Sequence, residues 1–498
     1  MKLRLLIFLF AWLCLSLEGQ HLSTAYINGS LSGSVNGIYG TQGVNSNSKP
    51  EALGAACMWS DGTAIYLFGG EINTSSLGDS LILNNRLWQW TEANSWSLVS
   101  GDLGNVRINN TNQNGVNLGT VNYGTKGVAS ASNQPGARAG AAYVTGNNGE
   151  FYMYGGYGVA SDGLGALSDL WKYENGLWTW IGGSNLKNVA ATYGTLLASG
   201  GSEPGARVDA NLWVDASDDV FIFGGGTGFY GQYHDNYASL MRFNGTDWSW
   251  RIGSSALNAG PVQASGSTTY IEPAARRLGA GVYSSDGKFY VRGGAVAKSS
   301  SSQDWQTDFW SYNGSNWTLV AGNPAVDNNE NGTGLVVAIG SQLMEHNGHF
   351  YLQGGISYDQ GFVLSTIATY LWDGSKFVSM GFSSMINNSV SIYQQSLASN
   401  GSGGSINHKS ASVQFNNETY FFGALIQSGP NISSTNLFLK FNGESWAYLG
   451  GGESTGTYSN GTNTKPGARA EAAYIYDEDA EKLYLFGGNA FPEYGYRG

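Results

Sequence analysis

The 498-residue chain has few residues that could cross-link it, bind metal or attract nucleic acid. It contains two cysteines and five histidines, and charged residues make up only 12% of it. The formal net charge is −12 and no basic stripe is present, so a nucleic-acid phosphate backbone would be repelled overall. We therefore expect no nucleic-acid partner and no cofactor.

Long apolar stretches are also scarce, and the clearest one lies at the N-terminus. Two basic residues precede an apolar segment from residue 5 to residue 17, which is short for a bilayer span. This order is typical of a signal peptide cleaved after Ser16 or Gly19, with a membrane anchor made from the same segment as the alternative. We expect residues 1–19 to be removed, leaving a secreted monomer without a membrane span.

Removal of the signal peptide would take Cys14 with it and leave Cys57 as the remaining thiol. One thiol cannot form an internal disulfide. We therefore expect side-chain packing and the hydrogen bonds of the sheets to hold the fold together, even in an oxidising compartment.

Asn-x-Ser/Thr sequons agree with export, although a chain rich in Asn, Ser and Thr also produces them by chance. The predicted glycosylation sites are Asn28, Asn73, Asn109, Asn244, Asn313, Asn316, Asn331, Asn387, Asn400, Asn417, Asn431 and Asn460. We expect several to carry glycans if the host is eukaryotic.

Glycine is abundant, and part of it follows a repeat. Seven short apolar runs end at a glycine pair or its remnant, with first glycines 61 to 86 residues apart. The glycines are Gly69 and Gly70, Gly155 and Gly156, Gly224 and Gly225, Gly293 and Gly294, Gly354 and Gly355, Gly423, and Gly487 and Gly488. A period of this order indicates copies of one supersecondary unit.

Further marks recur at constant distances after the first glycine. Five copies have an Asn-Gly or Asp-Gly pair 19 or 20 residues later, which suits a two-residue hairpin. A large aromatic follows at 23 or 24 residues, and these aromatics are Trp178, Trp248, Trp317, Phe377 and Trp446. Another hairpin precedes each glycine pair, so each copy is predicted to be four antiparallel strands, a to d. Four-stranded sheets repeated radially form an all-β propeller.

The pattern resembles the kelch repeat family over roughly residues 24–498. The resemblance rests on Gly-Gly at the end of strand b, an aromatic pair in strand c and a Trp in strand d. The copies that open with Pro-Gly-Ala-Arg, or the variant at 273–276, are similar to kelch repeats related to the galactose oxidase central domain. The resemblance implies one seven-bladed kelch-type β-propeller of four-stranded blades over residues 20–498. Copies five and six lack the Arg, and Gly423-Ala424 replaces one glycine pair.

The last copy is incomplete, because a Trp placed 23 residues after Gly487 would lie beyond Gly498. Residues 26–30 are similar to residues 180–184, so the N-terminal segment is predicted to be a stray strand d. Two interpretations stay open. Either the N-terminal strand completes the last blade of a closed seven-blade ring, or the sequence is truncated before its natural end.

Strand order predicts which face of such a ring carries function. The a–b and c–d turns lie on one face, and the b–c loops and d–a connections lie on the other. The second face has the longer segments, for example 157–168, 226–238, 295–307 and 100–134. Because function on rigid scaffolds concentrates in such loops, we expect the binding site there.

Four arginines are predicted at the start of the innermost strand, ringing the central channel on the same face. They are Arg138, Arg207, Arg276 and Arg469. Converging guanidiniums suit carboxylates, sulfates or an acidic peptide. The alternative is that each arginine pairs with a carboxylate or carbonyl between blades, for instance Asp169 or Asp308.

Aromatic residues in the b–c loops are candidates for stacking on a sugar or peptide. They are Tyr157, Tyr230, Tyr233, Trp305 and Tyr358. The alternative is that they pack the loops. With the arginines, they predict a binding or adhesion module for a protein or glycan, without catalysis.

A carbohydrate-active enzyme using the same face is the alternative function. Galactose oxidase-like chemistry needs copper held by His and Tyr, and a Cys joined to a Tyr. The histidines are scattered at His21, His234, His346, His349 and His408, with the pair 346/349 in an a–b turn opposite His234. We therefore expect no metal site. Asp235 or Asp359 could serve a hydrolase, but their spacing does not distinguish them from solvated loop acids.

Overall fold

The computed structural model describes most of residues 48–379 and shorter stretches beyond. The described residues are 48, 50, 56–61, 63–73, 80–91, 95–103, 106–109, 119–228, 235–299, 302–324, 342–346, 348–353, 356–359, 362–365, 369–379, 411–415, 418–428, 431–441, 446–450, 470–477 and 482–489. Within them every regular element is a β-strand. The predicted signal peptide and N-terminal strand lie outside these residues.

Six antiparallel four-stranded sheets, each in the order a-b-c-d, follow one another along the described residues. We number them units 1 to 6. Units 1 to 3 comprise Cys57–Ser60, Ile65–Phe68, Leu87–Thr91 and Ser95–Ser100; Ala142–Thr145, Phe151–Tyr154, Leu170–Glu174 and Leu177–Gly182; and Asn211–Val214, Val220–Phe223, Leu240–Phe243 and Trp248–Ile252. Units 4 to 6 comprise Ala280–Tyr283, Phe289–Ser299, Ser302–Tyr312 and Trp317–Ala321; Gln342–His346, His349–Gln353, Thr369–Trp372 and Phe377–Ser379; and Ala411–Phe415, Glu418–Ser428, Asn431–Phe441 and Trp446–Gly450. Unit 7 is the pair Ala470–Asp477 and Lys482–Asn489.

The segments predicted as b–c loops are β-hairpins in five units, which corrects the sequence analysis. In units 1, 2 and 5 a separate hairpin follows strand b: Glu71–Asn73 with Ser80–Leu83, Tyr157–Ala160 with Gly163–Ala166, and Ile356–Asp359 with Phe362–Ser365. In units 4 and 6 strands b and c run on into the hairpin without a break. Ladder pairing satisfies backbone groups that an irregular loop would leave to solvent.

Short strands outside the units complete the sheets. Val106–Asn109 pairs with Ser80–Leu83, Arg138–Ala139 pairs with Tyr157–Ala160, and Val262–Gln263 pairs with Tyr270–Glu272. The chain that leads into strand a also covers the outer edge of strand d in the same unit. Gly127 N–H donates to Trp180 O and Leu197 N–H donates to Trp250 O, both at 2.8 Å. This cover protects an edge that could otherwise pair with another chain.

The hydrophobic cores lie between consecutive units. Trp178 of unit 2 packs with Cys57, Trp59 and Phe68 of unit 1, as the repeat predicts for a structural aromatic. Trp248 packs in the same way on unit 2, and Trp317 packs on unit 3. All three indoles are buried. Units 2 to 5 therefore each bury apolar surface against the preceding unit.

Strand a of each of units 1 to 4 contacts strand a of the next unit, unit 6 contacts unit 7 in the same way, and strand a of unit 1 also contacts strand a of unit 7. An all-β chain of antiparallel three- and four-stranded sheets with these neighbours is consistent with a β-propeller. Within the described part of the chain, we find no helix with the length and apolarity that crossing a bilayer requires.

The thiol of Cys57 lies buried between units 1 and 2, in the core cluster of Trp178. Burial raises its pKa to about 12, although the positive charge of Arg138 acts in the opposite direction. At pH 8 only about one thiol in 10,000 is then ionised, and the thiolate is the reactive form.

We expect iodoacetamide to leave Cys57 unlabelled in the folded protein and to label it fully in urea. Peptide mass spectrometry measures the labelled fraction of Cys57 in the folded and the urea-unfolded protein. Equal labelling rates in the two states would contradict this location.

Candidate functional site

Arg138 lies at the start of unit 2, where its guanidinium is buried against an acidic partner. Its Nη1 and Nη2 donate to Oδ1 and Oδ2 of Asp169, each at 2.7 Å. Nη1 also donates to Gly155 O at 3.0 Å, and Nε donates to Gly136 O at 3.1 Å. The arginine side chain is 1% exposed and the aspartate 0%. This is a bidentate, charge-assisted pair inside the protein.

Asp169 also accepts hydrogen bonds from two neutral side chains. The hydroxyl of Tyr123 donates to its Oδ2 at 2.8 Å, and the indole N–H of Trp171 donates to the same oxygen at 2.7 Å. Burial acts to lower the pKa of Arg138, but the charge and hydrogen bonds of Asp169 outweigh it and raise that pKa. The extra bonds compensate the desolvation that a buried ion pair requires.

Unit 4 repeats this arrangement. Arg276 Nη1 and Nη2 donate to Oδ1 and Oδ2 of Asp308 at 2.7 Å, and Nη1 donates to Gly293 O at 2.9 Å. The indole N–H of Trp310 donates to Asp308 Oδ2 at 2.7 Å. We call this set of arginine, aspartate and tryptophan the clasp. Its members recur at equivalent positions because units 2 and 4 are copies.

Unit 3 has the arginine without the carboxylate. Arg207 donates through Nε to Pro204 O at 3.0 Å and through Nη1 to Gly224 O at 2.8 Å. The acidic position holds Ser239, whose carbonyl accepts from Nη1 at 3.1 Å and whose Oγ accepts from Nη2 at 2.8 Å. The ring of Tyr237 lies under the guanidinium, 4.3 Å from its carbon to the ring centroid.

The three described arginines therefore do not form an open ligand-binding ring, which corrects that hypothesis. Their side chains are at most 1% exposed, and each makes four hydrogen bonds to groups of the protein. The alternative weighed for them, pairing with Asp169, Asp308 or a carbonyl, describes the structure. The physical reason is that the preceding unit packs against each arginine, through Gly70, Gly156 and Gly225, and excludes solvent. Arg469 lies outside the described residues.

The arginine backbones join consecutive units. Gly70 N–H donates to Arg138 O at 2.8 Å, and Gly156 N–H donates to Arg207 O at 2.9 Å. Gly225 N–H donates to Arg276 O at 2.9 Å. The glycine pairs of the first four units all have positive φ, from 64° to 104°, which L side chains disfavour. The repeated glycines thus mark the junction between units as well as the end of strand b.

The later glycines of the repeat differ. Gly354 and Gly355 lie outside the described residues, while Gly423, Gly487 and Gly488 lie within continuous strands. The ladder shifts register between Phe422 and Ala424, as it does between Arg292 and Gly294 in unit 4. A register shift of this kind is a bulge that bends the strand. Trp446, also a structural residue of the repeat, begins strand d of unit 6 as predicted.

The end of the b–c segment is fixed to the following d–a connection in units 2 and 3. Asn188 Oδ1 accepts Ala166 N–H at 2.9 Å, and Asn188 N–H donates to Ala166 O at 2.7 Å. Asn258 makes the same two bonds to the backbone of Asn236, at 2.8 and 2.9 Å. Asn188 and Asn258 have positive φ, 53° and 54°, which asparagine tolerates better than most residues. We call Asn188 and Asn258 the staples.

Charged side chains lie exposed around the staples. Asp162 at the tip of the unit 2 hairpin accepts the backbone N–H of Lys187 at 2.9 Å. Asp235 accepts Asn258 Nδ2 at 2.6 Å, and both side chains belong to exposed or half-exposed residues. We define the staple face as Asp162, Lys187, Asn188, Asp235 and Asn258. It presents fixed hydrogen-bonding groups of both charge signs on the predicted side of the fold.

Sequence reasoning missed the staples, although a signal for them was present. Each lies five residues after the glycine that follows strand d, at Gly183 and Gly253, and the two asparagines are 70 residues apart. This distance is close to the repeat period. The signal is therefore a repeat in the d–a connections, like that of the glycine pairs.

The predicted aromatic platform is only partly described. Tyr157 is half-buried and packs against Leu83 and Val159 on one side and Ala206 and Val208 on the other. Burial raises the pKa of its phenol. It therefore packs the junction, which is the alternative weighed for it. Trp305 and Tyr358 lie in hairpin strands without described side chains, and Tyr230 and Tyr233 lie outside the described residues.

The sequons whose side chains are described lie on the face of the a–b and c–d turns, which we call the turn face, and so do the described histidines. Asn244, Asn313 and Asn316 are exposed in c–d turns, and the other predicted glycosylation sites have no described side chain. His346 and His349 face each other across the a–b turn of unit 5, as predicted. Across the described ranges, three His, Cys, Asp or Glu side chains never come together in a way that could hold a metal ion.

Comparison with known proteins gives little further information. No protein-family model matches the chain, and no curated protein matches it. A solved structure titled "Structure of YjhT" is similar with a TM-score of 0.42 and 12% sequence identity, covering 80% of this chain and 98% of that chain.

Proposed function

We propose that the chain is a secreted, kelch-type β-propeller of seven blades that binds a protein or glycan through the staple face, without catalysis of its own. The repeat spacing, the order of the sheets and the contact between strand a of units 1 and 7 support a closed ring. The N-terminal apolar segment and the sequons support secretion.

The observation that carries the binding proposal is the pair of staples. A loop that must be ordered on binding costs free energy, whereas a segment already held by hydrogen bonds costs less. Asn188 fixes the end of the unit 2 hairpin at Ala166, and Asn258 fixes Asn236 near the end of the unit 3 b–c segment by the same pair of hydrogen bonds. The described c–d turns on the opposite face are short and close on themselves.

The chemistry of the staple face favours a polar partner. Asp162, Lys187 and Asp235 provide two carboxylates and one ammonium, and the staples add amide groups. Such groups bind hydroxyls, amides and opposite charges by hydrogen bonds that fix orientation. A glycan or a polar stretch of protein fits this set better than an apolar ligand does.

The test removes both staples and compares the result with a matched change on the turn face. The double variant Asn188→Gly and Asn258→Gly keeps a residue that tolerates positive φ but loses both side-chain bonds. We expect binding to an immobilised array of neutral, sulfated and sialylated glycans and extracellular proteins to fall at least tenfold, with little change in the unfolding midpoint.

The control variant is Asn244→Gly with Asn313→Gly. Each of these asparagines accepts two backbone N–H groups within its c–d turn, at 2.9 to 3.0 Å. Both variants are compared without glycosylation, so that loss of two sequons has no effect. Binding should be unchanged in the control. Equal losses in the two variants, or none in either, would refute the staple face as the site.

A further inference from the structure

Unit 3 carries a buried arginine without a counter-charge among the described residues. In units 2 and 4 the aspartate of the clasp neutralises the equivalent arginine. Units 2 and 4 place Asp169 and Asp308 against their arginines, whereas Ser239 occupies this position in unit 3. Arg207 is 1% exposed, and within the described ranges it forms no ion pair. A buried ion without a counter-charge is strongly unfavourable in a protein interior.

Neutral groups around Arg207 compensate part of this charge. Three carbonyl oxygens and Ser239 Oγ accept its N–H groups, and the Tyr237 ring contributes a cation–π contact. Burial nevertheless lowers the pKa of Arg207, while that of Arg138 is raised by Asp169 against the effect of burial. Dipoles and a ring therefore do not replace the carboxylate.

Hydrogen-bond donors outnumber acceptors at this position. Tyr193 O–H and Ser239 Oγ lie 3.0 Å apart, so one of the two hydroxyls donates to the other. The hydroxyl proton of the second then has no acceptor among the hydrogen bonds of the described residues. The fifth N–H of Arg207 has none among these residues either, but Arg138 and Arg276 share this feature, so the distinguishing group is the hydroxyl. An unmatched O–H next to a buried cation that lacks a counter-charge constitutes an anion-binding environment.

The residues around Arg207 differ from their equivalents in unit 2, and the differences agree with a smaller hydrogen-bond acceptor. In unit 2, Asp169 accepts from Tyr123 and Trp171 as well as from Arg138. Unit 3 keeps the tyrosine as Tyr193, but Met241 replaces the tryptophan, so no indole N–H needs an acceptor. Serine is also two heavy atoms smaller than aspartate, and the difference is the part of the side chain that carries the charge.

We propose that a small monovalent anion, chloride or one of similar size, lies beside Ser239 Oγ and Arg207 in unit 3 and supplies the negative charge that the aspartate carboxylate supplies in units 2 and 4. Arg207, Ser239 and Tyr193 hold it. The enclosure favours a small ion, because Ser239 and Arg207 are buried and a phosphate or sulfate would need more room and a second counter-charge. Tyr193 is partly exposed and marks the side from which the ion enters. The proposal is independent of the proposed function.

The test measures thermal unfolding while sodium gluconate is replaced by sodium chloride at constant ionic strength. An ion that binds only the folded state raises the unfolding midpoint by an amount that grows with ion concentration relative to Kd. We expect an upward shift with chloride and with bromide, relative to gluconate, which is too large to enter. The Ser239→Asp variant supplies the carboxylate from the chain, so it should lose the halide-dependent shift.

Ser249→Asp is the matched control, because Ser249 is also buried in unit 3 but lies away from Arg207. It should keep the halide dependence. If either aspartate variant fails to fold, bromide-soaked crystals of the unmodified protein decide, through anomalous density beside Arg207 Nη2. Equal midpoints in chloride and gluconate, a halide shift that survives in Ser239→Asp, or no bromide beside Arg207 would each overturn the proposal.

Discussion

Replacing Gly155 by alanine is expected to destabilise the fold by about 3 to 5 kcal/mol, against about 1 to 2 kcal/mol for the same change at Gly176. Both glycines have positive φ, 64° and 79°, so both substitutions carry the strain of that conformation. They differ in their surroundings. A Cβ on Gly155 would lie 2.5 Å from Arg207 O and 2.8 Å from Leu167 O, whereas nothing lies within 4 Å of one on Gly176.

The excess cost at Gly155 arises because both neighbouring atoms belong to the backbone. A side chain could rotate away, but Arg207 O can move only if unit 3 shifts relative to unit 2. That shift would also break the bond from Gly156 N–H to Arg207 O. Urea unfolding, with equal m-values for the two variants, gives the difference in free energy directly. Equal costs at the two positions would show that units 2 and 3 are not in close contact here.

The glycine pair shows what the repeat could and could not predict. Period and strand order come from local patterns, and in unit 2 Asn175 and Gly176 close the two-residue turn with the positive φ values that the Asn-Gly signal predicts. The two-residue prediction is wrong for units 3 to 5, where the c–d turns have four residues, 244–247, 313–316 and 373–376. The reason that position 155 requires a glycine is not local. It depends on a carbonyl of the next unit, 52 residues further along the chain. A single sequence identifies such a glycine without identifying its neighbour.

The arginines show a second limit. The sequence supplies Arg138 and names Asp169 among its partners, but it offers binding and pairing as alternatives. The choice depends on solvent exclusion by the adjacent unit, which is a property of the assembled sheets. Ser239 in unit 3 was visible in the sequence, yet its importance appears only when the clasps of units 2 and 4 are known.

The b–c segments show a third limit. Gly158, Gly163 and Gly165 make the unit 2 segment appear irregular, because glycine is depleted in strands. In the structure the Cβ positions of Gly158 and Gly165 are blocked by neighbouring atoms at 2.2 and 2.7 Å. These glycines therefore permit close packing of a hairpin against the inner strand and against Asn188, and do not interrupt the ladder.

Removing one partner of the clasp in unit 2 should have the second large effect on stability. The Asp169→Ala variant would leave the Arg138 guanidinium buried without its counter-charge, and the Tyr123 and Trp171 donors without their acceptor. Breaking a buried ion pair in this way costs about 3 to 5 kcal/mol. Asp286→Ala is the matched control, because Asp286 forms an exposed pair with Lys288, and such pairs contribute up to about 1 kcal/mol.

Unit 3 supplies a second comparison for the same measurement. The double variant Asp169→Ser and Trp171→Met places in unit 2 the serine and methionine that unit 3 carries instead of the clasp aspartate and tryptophan. It retains a hydroxyl acceptor for Arg138 and removes the indole N–H that would lack an acceptor. We therefore expect it to lose less free energy of unfolding than Asp169→Ala, and to gain the dependence on chloride inferred for unit 3. If Asp169→Ala cost no more than Asp286→Ala, the buried clasp would contribute little to holding the units together. The free energy at each junction would then come from the tryptophan-centred cores alone.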